Sequence, residues 1–250
     1  GGSISLGGTL DLNTGLAKAS DLFVVVRDGA RLDASGTQTE LTVPGQGTVS
    51  VASNGGSISL ASNNGLYLEG SVMARAGGAG AAGGSLNLAL ESPYYTRTGV
   101  ADRVLKVREL VLGQGHPPSA LVGTPAAAAD SLDYGHARLG VDQVQAGGFD
   151  NLALLSNGLL SFDGDIRLNM GQSLRLYSRG YGLSDNAAAT ARIDLSAPHL
   201  LLAGYLPPPE SGKDFYVRPV PVLPVPSQRA TQAQFNAEGR ERRGDGVPSA

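Results

Sequence analysis

The hexapeptide GGSISL at residues 1–6 recurs letter for letter at residues 55–60 and returns as GGSLNL at residues 83–88. An internal repeat of this kind is typical of a chain that stacks one short unit on the next. Within each copy, apolar residues alternate with small polar residues, which is the pattern of a β-strand with one side in the core. The repeat therefore predicts short strands piled on one another.

The same alternation continues through the first 205 residues in short pieces separated by Gly, Asn, Asp and Ser turns. We expect each piece to be a strand, and we expect no helix before the C-terminal tail, because no segment there has a helical period. Sandwiches, propellers and solenoids all contain many short strands, but similarity between copies favours a solenoid. The sequence therefore predicts an all-β fold, a right-handed parallel β-helix. The alternating apolar pairs include Leu10 and Leu12, Leu41 and Val43, Val49 and Val51, Leu66 and Leu68, Leu152 and Leu154, Ile166 and Leu168, Leu174 and Leu176, Ile193 and Leu195, and Leu200 and Leu202.

The composition fits a narrow, repetitive interior. The chain has 36 glycines in 250 residues, 5% aromatic residues and no cysteine. Its net charge is -3 and its basic residues are scattered, so we expect no nucleic-acid partner. The longest strongly apolar run, residues 22–26, is too short to span a bilayer. Because the chain opens in the middle of a repeat, we take it to be an excised fragment.

Three regions of different character divide the chain. Residues 1–205 are predicted to be the β-helix, with loop excursions near residues 92–103 and 113–131, where Pro and Ala runs break the alternation. Residues 206–227 are proline-rich, which predicts an extended linker. Residues 228–250 are polar and poor in aliphatic residues, so we expect a disordered tail or a short helix.

Three blocks of this sequence, at residues 55–90, 147–178 and 191–204, resemble the filamentous haemagglutinin family. The resemblance implies a parallel β-helical shaft in a very large exoprotein, secreted to the bacterial cell surface by a dedicated outer-membrane transporter of the two-partner type. Members of that family act as adhesins, haemolysins or carriers of contact-dependent toxins. The chain has no Asn-Pro pair and no recognisable toxin module, so the resemblance implies a structural or adhesive shaft segment.

Two patterns in the sequence bear on cofactors and metals. Residues 78–83 match the glycine fingerprint of dinucleotide-binding proteins, but the alternation that follows predicts a strand where that fingerprint requires a helix. The histidines His116, His136 and His199 lie far apart and have no metal-ligand spacing. We therefore expect neither a cofactor nor a metal site.

A polysaccharide-degrading enzyme is one alternative function, because parallel β-helices also carry such enzymes. Asp163, Asp165 and Arg167 alternate so that they could share one strand face, and His136 offers a histidine. Paired carboxylates would suit glycoside hydrolysis. An Asp-Gly-Asp sequence before an aliphatic pair is, however, ordinary turn chemistry, so we expect no catalysis.

A binding module for host cells or carbohydrate is the other alternative. Arg243, Gly244 and Asp245 form an Arg-Gly-Asp tripeptide in the polar tail, which integrins recognise when it is exposed and flexible. The tripeptide is the candidate receptor-binding site. Contacts with a host-cell receptor or glycan through the loops at residues 94–95 and 117–118 form a second version of this hypothesis.

Overall fold

The computed structural model describes residues 1–45, 47–92, 108–116, 121, 123–124, 132–205, 233–237 and 242–243. It contains short strands and one short helix, α1 (Val141–Gly147), within those residues. The strands are β1 (Ser3–Leu6), β2 (Gly8–Asp11), β3 (Leu16–Ala19), β4 (Phe23–Val26), β5 (Arg31–Asp33), β6 (Gln38–Val43), β7 (Gly47–Ala52), β8 (Ser57–Ser62), β9 (Gly65–Leu68), β10 (Ser71–Met73), β11 (Gly84–Leu90), β12 (Glu109–Gly113), β13 (His136–Gly140), β14 (Phe149–Asp163), β15 (Ile166–Asn169), β16 (Ser173–Leu183), β17 (Ile193–Ala197), β18 (His199–Gly204), β19 (Ala233–Ala237) and β20 (Arg242–Arg243).

The longest run of parallel pairing, which we call ladder A, contains the repeated hexapeptides. Its order is β1, β8, β11, the first half of β14, the first half of β16, β18 and β20. Ile4 pairs with Ile58, and Ile58 pairs with Leu86. The three hexapeptide copies therefore lie side by side in register, and the prediction of a mostly β chain with parallel strand pairing is confirmed.

Two further sets of parallel strands accompany ladder A. Ladder B runs in the order β4, β9, β13, β12 and the second halves of β14 and β16. Ladder C consists of β5 with β10, and of β15 with β17 and β19. Helix α1 contacts both β10 and β15, so it occupies the gap between the two parts of ladder C.

The main core consists of aliphatic side chains that recur at the same register position in successive strands. In ladder A, Leu60, Leu88, Leu154 and Leu176 follow one another across the sheet, and each is at most 3% exposed. Burying one such side chain stabilises the fold by about 1.5–3 kcal/mol. The shared core of the three ladders therefore depends on columns of stacked Leu, Ile and Val.

Two antiparallel hairpins stand outside the ladders. The pieces at Leu41 and Val49 form strands, as predicted, but β6 and β7 pair only with each other, and so do β2 and β3. The expectation of no helix is wrong, since α1 is present. Seven residues are too few to show a helical period, and Asp142 in the first turn with Gly148 at the C-terminal cap are its local signals.

Several domain predictions fall largely on residues outside the described ranges. Residues 93–107, most of 117–131 and the proline-rich segment 206–227 belong to this group. Within residues 228–250 the structure describes two strands, β19 and β20, which pair with β17 and β18. The predicted excursions, linker and disordered tail stay predictions.

A second apolar cluster lies on the side of ladder A that faces away from the main core. It contains Leu10 of β2 together with residues of ladder A and Tyr205 after β18. Burial raises the pKa of the Tyr205 phenol well above its usual value, and the hydrogen bond to the Glu91 carboxylate raises this pKa further. The folded chain therefore favours the protonated phenol.

We expect Leu154→Ala to lower the free energy of unfolding by about 2–5 kcal/mol, because it removes a fully buried side chain from a column with neighbours above and below. The measurement is urea unfolding followed by circular dichroism. The matched control is Leu22→Ala, at a leucine that is 45% exposed, which should change stability by less than about 0.5 kcal/mol. Equal losses in the two variants would contradict the columnar core.

The raised pKa of Tyr205 predicts a loss of stability in alkali. The phenol's contribution is fully present below its unfolded pKa of about 10 and is lost as the pH rises beyond that value. Urea midpoints measured between about pH 9 and pH 11 should therefore fall more steeply for the wild type than for Tyr205→Phe. Parallel curves would show that the buried phenol is not coupled to folding.

Candidate functional site

A groove with a volume of about 470 Å³ lies beside α1, where the helix takes the place of a ladder C strand. It is lined by β10 and the two residues before it, and by the turn at residues 28–30. His116, Asp142 and Gln143 line it as well. The groove thus exists because a helix, rather than a strand, follows β13.

His116 and Asp142 form a hydrogen-bonded pair in this groove. His116 Nδ1 lies 2.6 Å from Asp142 Oδ2, and the two side chains are 46% and 44% exposed. The other carboxylate oxygen, Oδ1, accepts the backbone N–H groups of His116 at 2.9 Å and of Gln143 at 2.8 Å. When the imidazole is neutral, this arrangement favours the proton on Nδ1 and leaves Nε2 as the acceptor.

Two other side chains form hydrogen bonds between the helix and neighbouring segments. Gln143 is 8% exposed, and its amide donates to the carbonyls of Leu68 at 3.0 Å and Gly70 at 3.2 Å. Arg75 donates to the Ala146 carbonyl at 2.8 Å and 3.3 Å, near the C-terminal end of the helix where carbonyls lack helical partners. The polar groups of the groove therefore hold α1 in place at both ends.

The groove contains an oriented base, but the described contacts do not give that base a nucleophile. Ser71 lines the same groove, yet its hydroxyl donates to the Ala30 carbonyl at 3.5 Å and not to His116. Among the residues that the structure describes, no group of three His, Cys, Asp or Glu side chains could hold a metal ion. The arrangement joins a loop to a helix and could accept a hydrogen bond from a ligand.

The carboxylates considered for glycoside hydrolysis have structural partners. Asp163 accepts Arg138 Nη2 at 2.5 Å through Oδ2 and the Ser184 hydroxyl at 2.8 Å through Oδ1. Asp165 accepts the Arg192 backbone N–H at 2.8 Å. Both carboxylates therefore connect the turn after β14 to parts of the chain that are distant in sequence.

The glycine-rich segment at residues 78–83 forms a turn that leads directly into β11. Gly83 donates its backbone N–H to Asp150 Oδ2 at 2.7 Å. A Cβ added at Gly78 would lie 2.3 Å from Oε1 of the exposed Gln38 side chain, which would have to move aside. Because a strand follows the glycines, the helix terminus that would bind a pyrophosphate does not form there.

The candidate receptor-binding tripeptide lies mostly outside the described residues. The structure describes the backbone of Arg243, which is part of β20 and pairs with Leu202 of β18. Gly244 and Asp245 are outside the described ranges, as are the loop residues 94–95 and 117–118. The receptor-binding hypothesis stays a prediction.

Sequence reasoning missed the His116–Asp142 pair. The two residues are 26 positions apart, and they meet only because β12 and β13 are adjacent in ladder B. No apolar period marks either of them, and the one available signal is the acidic residue in the first turn of a short helix. This site could be found only from the three-dimensional structure.

Among the described residues, none belongs to a helix of the length and apolar character needed to span a bilayer. No protein-family model, curated protein or solved structure matches this chain.

We expect Asp142→Asn to lower the free energy of unfolding by about 1–2 kcal/mol, because the carboxylate accepts three hydrogen bonds, two of which fix α1 against the segment after β12. Urea unfolding monitored by circular dichroism measures the effect. Asp28→Asn, at an exposed carboxylate that also lines the groove, should change stability by less than about 0.5 kcal/mol. A larger effect at Asp28 than at Asp142 would contradict the structural role assigned to the pair.

Proposed function

We propose that this chain is a structural and adhesive shaft segment of a large secreted bacterial surface protein of the filamentous haemagglutinin type, with no catalysis of its own. The supporting observation is the register of ladder A, where the three hexapeptide copies pair residue against residue. Its partners would be an outer-membrane transporter during export and a host-cell receptor or glycan at the cell surface.

The finer fold that we propose is a right-handed parallel β-helix. The chain visits ladder A with β8, ladder B with β9 and ladder C with β10, and then returns to ladder A with β11. The same order recurs through β14, β15, β16 and β17. Parallel strands joined by such connections are nearly always right-handed, which supports this assignment of hand.

A stack of this kind is suited to act as a stiff spacer. Neighbouring strands are spaced by about 4.8 Å, and every layer is hydrogen-bonded to the layers on both sides of it. The leucine columns add burial along the stack direction, so bending would disturb many contacts together. The function would then reside in length and rigidity, which require no small-molecule site.

Export of the native parent protein tests this proposal. An antibody raised against residues 1–205 is used on immunoblots of culture supernatant and cell surface, in strains with and without the candidate outer-membrane transporter. We expect a band far larger than the 25.5 kDa of this chain, lost from both fractions when the transporter is absent and regained on complementation. A cytosolic protein serves as the lysis control. A free species of about 25 kDa inside the cell would overturn the proposal.

A further inference from the structure

The hairpin of β2 and β3 leaves ladder A at a glycine pair and folds back onto its outer side, the side away from the main core. Gly7 and Gly8 have φ values of 71° and 148°. A Cβ at Gly7 would lie 2.2 Å from the Ala61 carbonyl oxygen, so only glycine permits this turn. The chain is thereby directed across the strands of ladder A.

The hairpin packs into an apolar channel on that outer side. Leu10 of β2 is 7% exposed and belongs to one apolar cluster with Ala61, Ala89 and Ala153, which come from three different strands. The earlier outer positions of β8 and β11 carry serine or asparagine, so the apolar residues here mark the surface that the hairpin covers. The outer channel is the surface formed by Ala61, Ala89, Ala153, Leu155 and Tyr177.

The far end of the hairpin reaches the last strands of ladder A. A Cβ at Gly15, in the turn between β2 and β3, would lie 2.8 Å from the Tyr177 ring of β16. Ala17 of β3 packs against the apolar cluster that contains Tyr205, whose phenol donates a hydrogen bond to the Glu91 carboxylate. The hairpin thus contacts ladder A from β8 to the residue after β18.

We propose that the β2–β3 hairpin is a latch that couples the first strands of the chain to β16 and β18. A two-stranded hairpin is marginally stable alone, so its order depends on the outer channel, which is complete only when those late strands are in place. Coupling of this kind is reciprocal: undocking the hairpin also weakens β16 and the segment at Tyr205. Among the described residues, the β6–β7 hairpin belongs to neither apolar cluster, and its Leu41 is 50% exposed.

Proteolysis of the full chain with Lys-C tests the docking of the latch. Lys18 lies in β3, and cleavage after it releases an N-terminal peptide that mass spectrometry identifies. We expect Leu10→Ala to accelerate this cleavage about tenfold or more, because cleavage follows the population of the undocked hairpin. The matched control is Leu41→Ala, at the centre of the exposed hairpin, which should leave the rate at Lys18 unchanged. Equal rates in the two variants would overturn the latch.

Hydrogen exchange in the same variants tests the coupling. With Leu10→Ala, the amides of β16 and Tyr205 should exchange faster, while those of β8 and β11 keep their protection. Faster exchange confined to residues 8–19 would overturn the coupling. If Leu10→Ala also exposes β8 and β11, Gly15→Ala decides: the three atoms nearest to its Cβ all belong to the Tyr177 ring, and the φ of 67° disfavours alanine in the turn, so the change disturbs the end of the hairpin at β16. Unchanged protection of the β16 amides in Gly15→Ala would then overturn the proposal.

Discussion

In-register parallel pairing of short strands is the constraint on which the rest of this structure depends. A strand of four residues makes few hydrogen bonds, so it is stable only when both edges are paired and its inward side chains meet similar ones in the next strand. Ladder A satisfies both conditions through the columns at Ile58 and Leu60. Because a shift by one residue would turn every leucine outward, the alternation and the pairing support each other.

This constraint also determines where segments outside the ladders, such as the hairpins and α1, can be inserted. The two hairpins emerge between consecutive ladder strands and do not interrupt the columns. Helix α1 does replace a ladder C strand, yet Val141 and Val144 fill its place in the main core, with exposures of 0% and 1%. The lost ladder bonds are offset by the side-chain bonds of Gln143 and Arg75 to backbone carbonyls. The polar groove is a consequence of this replacement of a strand by a helix.

The sequence was sufficient to predict what is local and repeated. Alternation predicted strands, and the copied hexapeptides indicated parallel stacking, because equal sequences place equal side chains at equal register. The alternating pattern is the same around Leu41 and Leu60. The sequence therefore could not show that Leu41 lies in an exposed hairpin and Leu60 in the core. Helix α1 is too short for a period, and the His116–Asp142 contact depends on the order of β12 and β13 in ladder B, which local pattern does not encode.

Outward-facing positions of a stacked chain contain information that its core pattern does not. The inward residues are aliphatic in every layer because the columns require it, so they do not distinguish one layer from another. Outside, Asn87 donates a hydrogen bond to Ser57 in the neighbouring polar column, whereas Ala61 and Ala89 form an apolar column. An apolar column on the solvent side would lose its burial if nothing covered it, and here a hairpin supplies the cover. In such chains, outward alanines therefore point to a segment that packs across the layers.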